Sequence, residues 1–144
     1  MGFKRFARLV RRKIFSFFIP YVAGLYFAYS AGLYELFPKK EDWRGKILLL
    51  ESSEEKPSPE KYAAALEYLK RAGVFDAVSG VLAGKPMDNV YAEEYKRLLK
   101  EVIDDPLLPV VFNLNVGHAM PRCIIPFGVE AEVDADKQVI RFAK

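Results

Sequence analysis

Sulfur and imidazole are scarce in this chain. Its 144 residues include one cysteine, Cys123, and one histidine, His118. A lone cysteine excludes an internal disulfide framework. With no CxxC and no second histidine, a zinc site built from Cys and His within one chain is excluded too. The residues point to no cofactor and no metal. Basic residues are clustered, but no recognised nucleic-acid module accompanies them, so no nucleic-acid partner is expected.

What the chain does have is apolar residues, 51% of the total, enough for the core of one ordinary domain. The net charge of +3 hides an uneven spread. Residues 1–40 carry eight Lys/Arg against one Glu, whereas the remainder carries fourteen Lys/Arg against eighteen Asp/Glu. A basic segment therefore precedes a mildly acidic domain.

That first segment, residues 1–35, stands apart. Lys4, Arg5, Arg8, Arg11, Arg12 and Lys13 are followed by Ile14 to Tyr34, 21 positions without a charge. A helix of that length can cross a bilayer, and the preceding positive charges would keep its N-terminus on the cytoplasmic side. The expectation is an apolar helical segment: a membrane anchor over residues 14–34, a helix packed on a partner, or an extension that does not belong to the fold of the domain after it. Pro20, Gly24, Gly32 and four tyrosines make the run less apolar than a leucine-rich span.

From residue 36 the pattern becomes regular. "KILLLE" (46–51) reads as a buried strand closed by a carboxylate. Ser58 and Pro59 then suit an N-cap and a first helical position, for a helix from Pro59 to Ala72 with Gly73 as its stop. "AVSGVLAG" (77–84) predicts a second strand, "YAEEYKRLLKEVI" (91–103) a second amphipathic helix, and "LPVVFNLN" (108–115) a third strand. "VEAEV" and "QVIRF", joined by "DADK", predict a closing β-hairpin. Strands alternating with helices argue for parallel pairing through crossovers, and the hairpin adds antiparallel strands. The predicted fold class is thus α/β: a small mixed sheet with crossover helices and a terminal β-hairpin, preceded by the apolar helical segment.

In open α/β sheets, functional groups gather where strands give way to loops. Two polar residues stand at such places. Glu51 directly follows "ILLL", and His118 follows "VVFNLN" by a few residues. If the two strands are neighbours, a carboxylate and an imidazole meet at one sheet edge, as the orienter and base of a nucleophilic triad do. A lone loop histidine is more often a structural hydrogen-bonding residue, and a glutamate ending a strand is usually solvated. Both readings stand at this point. Arg122, near the histidine, is a candidate for binding a substrate carboxylate, against the alternative of a solvated loop charge. Cys123 reads as a small buried residue.

Three stretches together resemble a known family: "DWRGKILLLESSEEKPSP", "GVLAGKP" and "PVVFNLNVGHAMPRCIIPFGVEAEVDADKQVIRF". Over residues 36–144 they are similar to the C-terminal domain of the LD-carboxypeptidases, which include the muramoyl-tetrapeptide carboxypeptidases and the microcin C immunity peptidases. The resemblance implies a serine peptidase with a Ser-His-Glu triad, in which Glu51 and His118 fall on the glutamate and histidine. It further implies a cytoplasmic enzyme that often dimerises, with murein-derived peptides or peptidyl-nucleotide antibiotics as substrates. The nucleophile of the family stands on another domain, in a Gly-x-Ser-Asp type turn. None of Ser16, Ser30, Ser52, Ser53, Ser58 and Ser79 lies in such a turn. The expectation is half of a hydrolytic site, lacking the nucleophile-bearing domain. The alternative is a catalytically inactive, membrane-attached remnant or interaction module that kept the fold.

Overall fold

The computed structural model describes residues 10–18, 39–52, 54–134 and 137–143, the first of these by backbone alone. Among the described residues six strands form one sheet: β1 Val10–Phe18, β2 Ile47–Glu51, β3 Gly80–Gly84, β4 Val110–Leu114, β5 Glu130–Asp134 and β6 Val139–Phe142. Their spatial order is β4-β3-β2-β1-β5-β6. β1 to β4 run parallel to one another, while β5 is antiparallel to β1 and to β6. This is the mixed sheet with a terminal hairpin that the alternating pattern predicts.

The central strands explain their own composition. A strand sends successive side chains to opposite faces, so an unbroken apolar run is needed only where both faces are covered. In β2, Leu48 and Leu50 enter one core with Trp43, Tyr62, Leu66, Leu69, Tyr95 and Leu99. Ile47 and Leu49 enter a second core, on the other face, with Leu82, Val116, Ile125, Ala131 and Val133.

The first core is closed by helices. After a short turn of helix, α1 Lys40–Trp43, come α2 Pro59–Arg71, α3 Val74–Ala77 and α4 Ala92–Ile103. Ser58 caps α2 by accepting a hydrogen bond from the Lys61 N–H at 3.5 Å, with Pro59 behind it in the first turn. Tyr62, Leu66 and Leu69 recur at three- and four-residue intervals and are buried. The rings of Tyr62 and Tyr95 stack at 4.1 Å, joining α2 to α4. The second core has no helix over it among the described residues. Val116 and Ile125 of the long β4–β5 connection close it instead.

The N-terminal expectation needs correction. Ile14–Phe18 is not helical: these residues belong to β1, aligned with Ile47–Glu51 of β2. "VRRKIFSFF" is rich in Val, Ile and Phe, which suit a pleated strand better than a helix. Its place between β2 and β5 pairs backbone groups on both of those neighbours. The remainder of the apolar run, 19–34, lies outside the described residues. Among the described residues no helix is long and apolar enough to cross a membrane.

Candidate active site

Alternation along β2 places Glu51 on the side of Ile47 and Leu49, the face that the β4–β5 connection covers. His118 sits in that connection, just past Val116. The two meet: His118 Nδ1 lies 2.5 Å from Glu51 Oε1. The glutamate side chain is 17% exposed and the histidine 38%, so a shielded carboxylate holds one edge of a ring that still reaches the surface. That arrangement can set an imidazole's tautomer and orientation and stabilise its cation.

Two glycines make the approach geometrically feasible, and neither was singled out by sequence reasoning. Gly117 has φ +94°, and a Cβ there would lie 2.5 Å from Glu51 Oε1 and 2.6 Å from its Cδ. Only glycine lets the chain turn left-handed against the carboxylate and still deliver the next residue's ring to it. Gly84, ending β3, would bring a Cβ to 3.0 Å of the Val116 carbonyl oxygen. The dipeptide Gly-His and the glycine closing "GVLAG" were the available signals. Lys85 N–H donates to the Leu114 carbonyl at 2.7 Å, tying the end of β3 to the exit of β4.

A second acid also reaches the ring. Glu54 Oε2 lies 2.9 Å from His118 Nε2, with 59% of its side chain exposed. The loop bearing Glu54 is anchored further along: Lys56 Nζ lies 2.6 Å from Asp88 Oδ2, and the Tyr95 hydroxyl donates to the Pro57 carbonyl. Burial in the stack, with Tyr91 adding to it, pushes the Tyr95 phenol up to about 12, and burial raises Tyr62 too.

Arg122 stays on the same connection, exposed, with Nε 3.3 Å from Met120 Sδ. Cys123 corrects the expectation of a buried residue. It is exposed, and both its N–H and its thiol donate to the Asn115 carbonyl, at 2.7 and 2.8 Å. The thiol is thus a local brace that draws the connection back toward β4. Met120, Ile124 and Phe127 of this connection are large apolar side chains left exposed, Ile124 at 94%. Among the described residues no cluster of His, Cys, Asp and Glu could hold a metal ion.

Comparison with known proteins places the fold. The profile of the LD-carboxypeptidase C-terminal domain matches residues 19–133. An MccF-like protein from Streptococcus pneumoniae, solved in complex with AMP, superposes with a TM-score of 0.84 at 45% identity, over 94% of this chain and 41% of that one. A candidate carboxypeptidase of Streptomyces coelicolor is 37% identical over 65% of this chain and 29% of its own length. The microcin C7 self-immunity protein MccF of Escherichia coli is 31% identical over 67% of this chain and 28% of its own. The chain therefore spans under a third of the length of these curated relatives.

Proposed function

The chain belongs to the LD-carboxypeptidase family, matching its C-terminal domain, and from that premise we propose that it supplies the base and the orienting acid of a serine peptidase site. His118 is the base and Glu51 the orienter. The nucleophilic serine comes from outside these 144 residues, on further polypeptide or on a separate chain. The substrates are murein-derived peptides or microcin-like peptidyl and aminoacyl nucleotides, whose peptide or amide bond is cleaved. Supporting this, the similar protein from Streptococcus pneumoniae was solved with AMP. A cytoplasmic setting and a homodimer belong to the same reading.

The observation that carries it is the 2.5 Å contact of Nδ1 with the Glu51 carboxylate. With Nδ1–H donating to Glu51, the neutral ring has its lone pair on Nε2. The serine hydroxyl attacks the scissile carbonyl carbon and its proton passes to Nε2. Glu51 then steadies the imidazolium. The tetrahedral intermediate collapses, the C–N bond breaks, and Nε2 returns the proton to the departing nitrogen. Water repeats the sequence on the acyl-enzyme and releases the acid. Backbone N–H groups of the serine-bearing part hold the oxyanion. Arg122, exposed on the same connection four residues after the histidine, suits a substrate carboxylate.

The test is a chimaera in which this chain replaces the matching portion of the Streptococcus pneumoniae protein. Turnover of an L,D-peptide or an aminoacyl-nucleotide analogue is expected. His118→Ala should lower kcat by roughly 10³-fold or more, because a triad stripped of one member keeps only binding and oxyanion contributions. A folded, substrate-binding chimaera with no turnover, or with turnover indifferent to His118→Ala, refutes the reading and favours a non-catalytic module.

A further inference from the structure

The geometry points to Glu54 as a placeholder: a positioning residue that occupies the serine's place on His118 Nε2 and holds the ring ready until the serine arrives. This rests on the triad reading above.

In that reading Nε2 is the nitrogen a serine oxygen must approach. In this structure an oxygen already stands there, Glu54 Oε2 at 2.9 Å. The distance is that of a hydrogen bond, and with Nδ1–H on Glu51 it is one in the imidazolium, whose Nε2–H also donates; that proton leaves with Glu54 before the ring acts as base. The opposite ring nitrogen is engaged by Glu51 at 2.5 Å. A ring held at one nitrogen can still pivot about that contact, while a ring held at both nitrogens has its plane and direction defined. Glu54 therefore supplies the second point of attachment that the hydroxyl would otherwise provide.

Its surroundings suit a group that must also leave. Among the described neighbours, Glu51 is held in β2, the Lys56 side chain pairs with Asp88, and the Pro57 carbonyl accepts from Tyr95. The Glu54 side chain itself is 59% exposed. It can rotate into water without moving the loop, and a carboxylate loses little on returning to solvent. Glu51, at 17% exposed, has no such exit. The two acids differ in the way a permanent orienter and a displaceable placeholder should.

One histidine in the chain makes the test clean. Diethyl pyrocarbonate acylates accessible imidazole nitrogen, and here the absorbance change can come only from His118. In the full chain, Glu54→Ala is expected to speed carbethoxylation about three- to tenfold, since one hydrogen-bonded cap is removed from Nε2. Glu54→Asp should fall between the two, and Glu55→Ala should match the parent. The ring ¹⁵N resonance of Nε2 should move in Glu54→Ala and stay in Glu55→Ala. Equal carbethoxylation rates and an unmoved resonance in Glu54→Ala overturn the placeholder. Because this assay needs no serine, that result leaves the triad reading to the chimaera. A chimaera indifferent to His118→Ala overturns both.

Discussion

The two faces of the sheet are built on different principles. One is sealed by α2 and α4, with Leu66, Leu69, Tyr95 and Leu99 almost wholly buried. The other, among the described residues, is covered by a loop that buries Val116 and Ile125 while leaving Met120, Ile124 and Phe127 in water. Helices satisfy their own backbone groups and present a periodic apolar stripe, so they close a face efficiently. A loop closes it less completely, but it can place a single ring wherever glycine and local hydrogen bonds allow. On the proposed reading the helical side is expected to hold the larger share of stability, and the loop side the chemistry.

Substitutions can break that contrast. Leu66→Ala, on the helical face, should cost about 2–5 kcal/mol, read as a lower urea midpoint, because Leu66 is fully buried between α2 and the sheet. A loss below about 1 kcal/mol would remove the helical face as the reservoir of stability. Gly117→Ala, on the loop face, should cost about 1–3 kcal/mol for a methyl group at positive φ. Its larger consequence is local. The methyl displaces the Glu51 carboxylate from the histidine, and kcat/KM of the chimaera should fall roughly 10²-fold. A Gly117→Ala protein with undiminished turnover would show that the glycine serves the loop alone.

The smallest effect sharpens the contrast where the two faces communicate, at the Tyr95–Pro57 hydrogen bond. Tyr95→Phe should cost about 1 kcal/mol at neutral pH. The phenol is raised from its ordinary 10.0 to about 12, so the folded state favours its neutral form. Its contribution is complete below pH 10 and is lost as pH rises toward 12. Chemical denaturation across that window should therefore show a shallower decline in Tyr95→Phe than in the parent. Equal slopes would mean that Tyr95 does not govern the alkaline limb.

Much of the scaffold is legible in the residues because its signals are local. Ser58-Pro59 and the intervals Tyr62, Leu66, Leu69 specify α2 without reference to anything else, and the observed helix ends at Arg71, one residue short of the expected Ala72. "ILLL" requires cover on both faces wherever it lies. Ile14–Phe18 departs from its helical expectation for the opposite reason. A charge-free stretch is equally compatible with lipid and with the middle of a sheet, and its own residues do not say that β2 and β5 each have an edge to pair. Glu54 was passed over because nothing in "ESSEEK" distinguishes one exposed acid from the next.

By itself the sequence determined the order of the elements, the doubly buried central strand, and two residues, Glu51 and His118, at strand exits where chemistry can occur. These follow from periodicity, capping and chain direction, which act over a few residues. Only the tertiary structure decided that β1 lies between β2 and β5, that Gly117 yields room to a carboxylate 66 residues earlier, and that a second acid stands on Nε2. Those outcomes depend on which distant groups share a few ångströms, and that is set by the packing of the whole sheet.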